Sequence, residues 1–162
     1  MASRRSKSVR AALPSYAFLV SACLAGINCT YKGKNKLRKK IKRLTDTGRA
    51  LPVCPEVLGG APIPRQSCEI AGGDGNDVLD GSAMVLTPSG KDVSKLLIRG
   101  ARETLRIAKE HRIKKAILKS NSPSCGCGHI YDGTFRRRLI KGDGVTAALL
   151  RRNRIKIYTE KD

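Results

Sequence analysis

Apolar and polar positions alternate along the chain in short blocks whose period changes repeatedly. Residues 17–22 (AFLVSA) form an unbroken apolar run ending at Cys23, the pattern of a strand buried on both faces and followed by a glycine turn. Residues 32–43 switch to helical spacing. Leu37, Ile41 and Leu44 share one stripe and basic residues crowd the remainder, so an amphipathic helix is expected there, closed by Gly48. Residues 50–53 make a second short strand, stopped at Cys54-Pro55 because proline cannot continue a central strand. Residues 58–81 are rich in Gly and Pro without a sustained period, which predicts a long ordered loop of the kind that carries function. Residues 83–86 read as a short edge strand. Residues 93–110 place Val93, Leu97, Ile98, Ala101, Leu105 and Ala108 on one helical stripe. A third buried strand is expected at 115–119 (KAILK) and a tight turn of Ser, Pro, Cys and Gly at 120–128. A last helix at 144–153, capped by Asp143, leads to a fourth strand at 155–158.

Strands alternating with helices in this way predict an α/β fold, a single three-layer Rossmann-like domain with a short parallel sheet of about four strands. A chain of 162 residues supports one such core without disulfides. Residues 17–162 form the expected domain, and residues 1–16 a flexible basic arm. No internal repeat or low-complexity tract is present. Aromatic residues make up 4% of the chain and Trp is absent, while Gly is plentiful, as suits a compact domain with many turns.

The formal net charge of +20 changes the picture most. Such an excess attracts polyanions and opposes self-association, so a monomer with a nucleic-acid partner is expected. Lys34, Lys36, Arg38, Lys39, Arg136, Arg137 and Arg151 fall in the three most basic stretches and form the expected RNA contacts, provided those stretches share a face. A solvated basic surface is the plainer alternative. No apolar run approaches the roughly 20 residues that span a bilayer, and no secretory signal is visible, which places the protein in the cytoplasm. The Arg-, Ser- and Ala-rich start fits a mitochondrial presequence as well as an RNA-touching arm.

Six cysteines in a reducing compartment read as metal ligands or nucleophiles sooner than as disulfides. Their positions are informative. Cys23 follows the first strand, Cys54 the second, and Cys125 lies in the turn after the third. Loops leaving the carboxyl ends of parallel strands line one crevice, so three thiols remote in sequence are expected to meet there. A tripod of thiolates suits a soft metal centre with one open position, either zinc with a free site or a 4Fe-4S cluster with one iron unligated. The plainer reading treats each cysteine as a small buried hydrophobe. Paired Cys-x-x-Cys knuckles are absent, and Cys125-Gly126-Cys127 has the wrong spacing for one. Cys29 reads as a spare ligand or sulfur acceptor, Cys68 and Cys127 as structural. Gly72-Gly73-Asp74-Gly75 and Gly142-Asp143-Gly144 lack a Walker ending and read as turns and helix caps. His111 and His129 take solvent or turn positions.

The strings VSACLAGINC (20–29), PVCPEVLGG (52–60), GGDGNDVLDG (72–81), KSNSPSCG (119–126), IYDGTF (130–135) and GDGVTAALL (142–150) resemble the thiouracil desulfidase family, long catalogued as an uncharacterised bacterial domain. The likeness covers about residues 19–158. It implies a 4Fe-4S cluster held by Cys23, Cys54 and Cys125, with Glu56 and Ser122 at the family's polar catalytic positions. Ser21, Asn28, Cys29 and Lys119, in the same motifs, are the implied substrate contacts. Single-domain members are associated with removing sulfur from 4-thiouridine in tRNA, which agrees with the charge and makes sulfide the product. Two alternatives stay open: a desulfidase of free thiouracil or thiolated nucleotides, and a non-catalytic zinc-containing RNA-binding protein. Thr30 and Lys32 stand where the family has Arg and Asp, and Ser67-Cys68 where it has an apolar pair before Glu69. These departures bear on substrate more than on the cluster.

Overall fold

The computed structural model describes residues 13–162. In chain order its elements are β1 (Phe18–Ser21), α1 (Lys39–Asp46), β2 (Ala50–Val53), α2 (Pro55–Leu58), β3 (Glu69–Ala71), α3 (Gly75–Asp80), β4 (Met84–Leu86), α4 (Ser94–Glu110), β5 (Lys115–Leu118), β6 (His129–Tyr131), β7 (Leu139–Lys141), α5 (Val145–Arg152) and β8 (Lys156–Thr159). A single 3-10 turn, Ala22–Ala25, follows β1.

The four apolar runs expected as buried strands pair in parallel, in the order β2-β1-β5-β8. Helices cover both faces, as a three-layer α/β domain requires. Adjacent residues on a strand point to opposite faces, and β1 shows this directly. Leu19 packs with Ala116, Leu118, Ala147 and Leu150 on the α4–α5 side, whereas Val20 packs with Leu24, Ile41 and Ala50 on the α1 side. Burying each such Leu or Val stabilises the fold by about 1.5–3 kcal/mol. A sheet covered on both faces explains why these strands read as continuous hydrophobic runs. The chain moves outward from β1 to β2, then crosses through α4 to β5 and continues to β8. The direction of winding therefore reverses beside β1, and the crevice at such a switch point is the usual ligand site.

Several short elements differ from expectation. The helix expected at 32–43 occupies Lys39–Asp46 instead. The amides of Lys36 and Arg38 bond to the carbonyls of Cys23 and Leu24 at 2.9 and 2.8 Å, which holds the intervening chain in a non-helical path and leaves Leu37 exposed. The stretch 58–81 contains β3 and α3, too short to show a period. Asp74 caps α3 in a reciprocal capping box with Asp77, so the first Gly-Asp-Gly motif is a helix start. The strand at 84–86 pairs antiparallel with β3 and stands apart from the main sheet. Residues 129–141 fold into a hairpin of β6 and β7 that the sequence pattern did not reveal. Asp143 does not cap α5: Gly144 holds the N-cap position, and the Asp143 carboxylate takes hydrogen bonds from the Gly128 amide at 2.8 Å and Arg151 Nε at 2.9 Å.

Of the expected arm over 1–16, residues 1–12 lie outside the described part. Tyr16 packs edge-on against His111, with ring centroids 5.3 Å apart. Among the described residues no helix is long and apolar enough to cross a membrane.

Candidate metal and active site

β2, β1 and β5 are immediate neighbours in the sheet, so the segments leaving their carboxyl ends are neighbours too. Cys23 lies in the 3-10 turn after β1, Cys54 follows β2 directly as the N-cap of α2, and Cys125 lies in the turn after β5. All three line one cavity of about 520 Å³, within the range of about 300–1,000 Å³ that holds small ligands. Cys29 and Cys68 line it as well, and all six cysteines are free thiols.

Close packing fixes the thiol-bearing segments. The backbone amides of Ser124 and Cys125 both donate to Ser122 Oγ at 3.1 Å, which tightens the turn carrying Cys125. The Ser21 hydroxyl accepts from the Lys119 amide at 2.9 Å and ties the end of β1 to the end of β5. Behind Cys54, α2 meets α4 through glycine, since a Cβ on Gly100 would overlap the Pro55 carbonyl oxygen.

Four of the thiols lining the cavity are shifted toward the protonated form. Burial pushes the Cys125 thiol up to about 12, against hydrogen bonding from Ser21 and Ser124. Hydrogen bonding with Cys23, together with burial, pushes Cys29 up to about 11. Cys54 is raised as well, by its hydrogen bond to Cys29 and then by burial, and burial pushes Cys68 up to about 12. Among the described residues no three His, Cys, Asp or Glu side chains converge closely enough to hold a single ion.

Glu56 lines the same cavity, one residue past Pro55. Its carboxylate is gripped by Arg65, whose Nε donates to Oε2 at 2.7 Å. Arg65 also donates to the Cys29 carbonyl at 2.9 Å and to the Pro62 carbonyl at 3.2 Å. No sequence motif marks Arg65. Its only signal was a lone basic residue in the Gly- and Pro-rich stretch after the Cys54-Pro55-Glu56 motif.

Ser21, Cys29, Lys119 and Ser122 all reach the cavity wall, but Asn28 does not. Asn28 instead accepts a hydrogen bond from Asn35 at 2.8 Å and closes its own loop. Lys119 Nζ bonds to the Ser120 carbonyl at 3.0 Å and pairs with Glu160 at 3.4 Å. Of the expected RNA contacts, Lys34, Lys36 and Arg137 line the cavity mouth, joined there by Lys32. Arg38, Lys39 and Arg136 are exposed outside the lining. Arg151 is engaged elsewhere, with Asp143 and with Cys127 Sγ at 2.9 Å.

The model of the 2-thiouracil desulfurase family matches residues 18–162. The chain belongs to this family. Two relatives align over nearly their whole length. The uncharacterized protein YbbK of Bacillus subtilis (strain 168) is 49% identical over 144 residues, covering 89% of this chain and 95% of its own. The solved structure of the 4Fe-4S-dependent thiouracil desulfidase TudS matches with a TM-score of 0.79 and 40% identity, over 91% of this chain and 92% of that one. The match to the 2-thiouracil desulfurase family includes every residue that lines the cavity.

Proposed function

We propose that this protein is a 4Fe-4S-dependent desulfidase that converts 4-thiouridine in tRNA to uridine, hydrolytically and with release of sulfide. The observation that carries this reading is the meeting of Cys23, Cys54 and Cys125, from three neighbouring strand ends, in one cavity that Glu56 also lines. Those three thiols would hold the cluster. When bound, it supplies a thiophilic iron without a protein ligand, suited to a soft thiocarbonyl sulfur.

The remaining chemistry belongs to the chain. Glu56 takes a proton from the water that attacks the ring carbon bearing sulfur and returns one to the departing sulfur, a role that contributes typically about 10²- to 10⁴-fold. Arg65 keeps that carboxylate in place. Ser122 Oγ accepts two amide bonds, which leaves its own hydrogen to donate into the cavity. The overall reaction replaces C=S by C=O, consuming one water and yielding hydrogen sulfide.

The tRNA assignment rests on Lys32, Lys34, Lys36 and Arg137 around the cavity mouth and on the charge of +20. A base must leave its stack to enter such a recess, and cations at the rim hold the phosphates on either side of it. Free thiouracil fits the cavity chemistry equally but gives the rim no task. The zinc-containing alternative predicts one zinc per chain and no release of sulfide.

The test uses protein loaded with its cluster under anaerobic conditions. Sulfide release is compared between 4-thiouridine-containing tRNA and free 4-thiouracil at matched concentration. Faster turnover of the tRNA supports the assignment; turnover of the free base alone moves the substrate to thiouracil; no sulfide from either overturns the reading.

A further inference from the structure

One wall of the cavity comes from a segment that carries none of the thiols. It is the loop joining β6 to β7, which contributes Phe135, with Tyr131 contributed by the end of β6. The chain has only six aromatic residues, four Tyr and two Phe, and three of them (Tyr31, Tyr131 and Phe135) line this one cavity.

The loop is built in an uncommon way. Phe135 has φ +57°, in the left-handed region, where a bulky side chain is an outlier. Outliers of this kind persist only where the surroundings enforce them, and they cluster at functional sites. Here the enforcing group is Glu69. Its side chain is buried, and Oε1 accepts from the Gly133 amide at 3.2 Å and the Phe135 amide at 3.3 Å. Gly133, at φ +90°, seats the loop directly on β3, where a Cβ would overlap the Ile70 carbonyl oxygen. Asp132 adds a turn bond to the Thr134 amide at 3.0 Å. A buried carboxylate with two backbone amides for partners, beside a catalytic cavity, is a costly way to close a hairpin unless the residue it fixes has a task.

We propose that Phe135 is the stacking platform for the pyrimidine ring of the substrate, and that Glu69 is the positioning residue that sets it. This rests on the desulfidase reading. A thiouracil ring presents hydrogen-bonding groups only at its edge, so its faces need an aromatic partner. A base drawn out of RNA has lost its stacked neighbours, and an aromatic side chain replaces them whatever the sequence around it. The other two candidates are placed less favourably. Tyr31 is 43% exposed, with the Lys32 ammonium 5.7 Å from its ring centroid. Tyr131 is fixed within a paired strand opposite Leu139.

The test uses full-length, cluster-loaded protein and the variants Phe135→Leu, Phe135→Tyr, Phe135→Trp and Glu69→Gln. Two quantities are measured: kcat and KM for 4-thiouracil, and the Kd of uracil, the product, which binds without a sulfur. Phe135→Leu is expected to raise both KM and Kd about tenfold, within the range of aromatic–base stacking, with iron content and kcat near those of the parent. Phe135→Tyr and Phe135→Trp are expected to restore both. Glu69→Gln keeps the volume but not the charge and is expected to raise KM and Kd like Phe135→Leu, again with iron retained. An unchanged Kd in Phe135→Leu overturns the proposal, and so does a loss that neither aromatic variant restores. Should the parent release no sulfide from either 4-thiouracil or 4-thiouridine-containing tRNA, the desulfidase reading fails. The dependence of uracil binding on Phe135 then still decides the stacking role.

Discussion

Glu56 and Arg65 are each largely shielded from water, at 16% and 11% side-chain exposure, and neither has another charged partner among the ion pairs of the described residues. Removing one strands the other in a poorly solvated site. Glu56→Gln is therefore expected to lower kcat by about 10²- to 10⁴-fold while the absorption of the cluster stays unchanged. Arg65→Gln should fall in the same direction, and the double variant should lose no more than the worse single one, because the two act as a unit. Steady-state kinetics of the four proteins check this; fully additive losses would separate Arg65 from Glu56. That Cys23, Cys54 and Cys125 share one cavity was legible because each follows a short apolar run, and Glu56 lies two residues beyond Cys54. Arg65 and Glu69 were not, since their partners lie up to 66 residues away and no periodic pattern marks them. Cys68 read as structural, yet it stands in the cavity wall.

At the scale of elements, the site is held together by contacts between segments that the sequence could not pair. Gly100 is the clearest case: it lets α4 approach α2 just behind Cys54. Gly100→Ala favours the helix intrinsically but forces the two apart, and overpacking of this kind costs about 1–3 kcal/mol. A lower Tm together with reduced iron per chain is the expected result, measured by thermal melting and iron analysis. An unchanged Tm would show that the helices give way freely.

The end of β8 offers a second handle. Glu160, with 1% of its side chain exposed, takes bonds from the Ser120 amide at 2.9 Å and hydroxyl at 2.7 Å. Burial alone would raise its carboxyl, but the bonds from Ser120 outweigh it and hold the group below the usual glutamate range. A carboxyl depressed in the folded state contributes stability that is present above its unfolded pKa of about 4.3 and is lost as pH falls through the lower, folded value. Melting curves between about pH 3 and 7 should therefore show Tm of the parent falling more steeply below about pH 4.3 than that of Glu160→Gln. Strands and long helices were legible because burial on both faces or a sustained stripe leaves a pattern. The three-residue β3, β6 and β7 and the six-residue α3 leave none. The start of α1 was misplaced because bonds from Lys36 and Arg38 to the 3-10 turn override the helical spacing.

For the whole molecule, the charge of +20 is not one uniform field. Arg151 and Arg152 are engaged with Asp143 and Asp80, whereas Lys32, Lys34, Lys36 and Arg137 surround the cavity mouth. Affinity for tRNA should fall steeply with salt, and changing Lys34, Lys36 or Arg137 to Ser should each flatten the log–log slope by about 1. Arg151→Ser should leave the slope unchanged. Filter-binding titrations over a range of salt concentrations read both.

The architecture itself, a parallel sheet with thiols at its carboxyl edge, was legible because strand ends and cysteines coincide in the sequence. The central claim is that three of those thiols hold one iron–sulfur cluster, and an iron and sulfide count on oxygen-protected protein tests it most directly. About four irons and four sulfides per chain are expected, lost when Cys23, Cys54 or Cys125 is changed to Ala and kept when Cys127 is. A colourless protein with one zinc per chain, or full iron retained in any of those three variants, would contradict it.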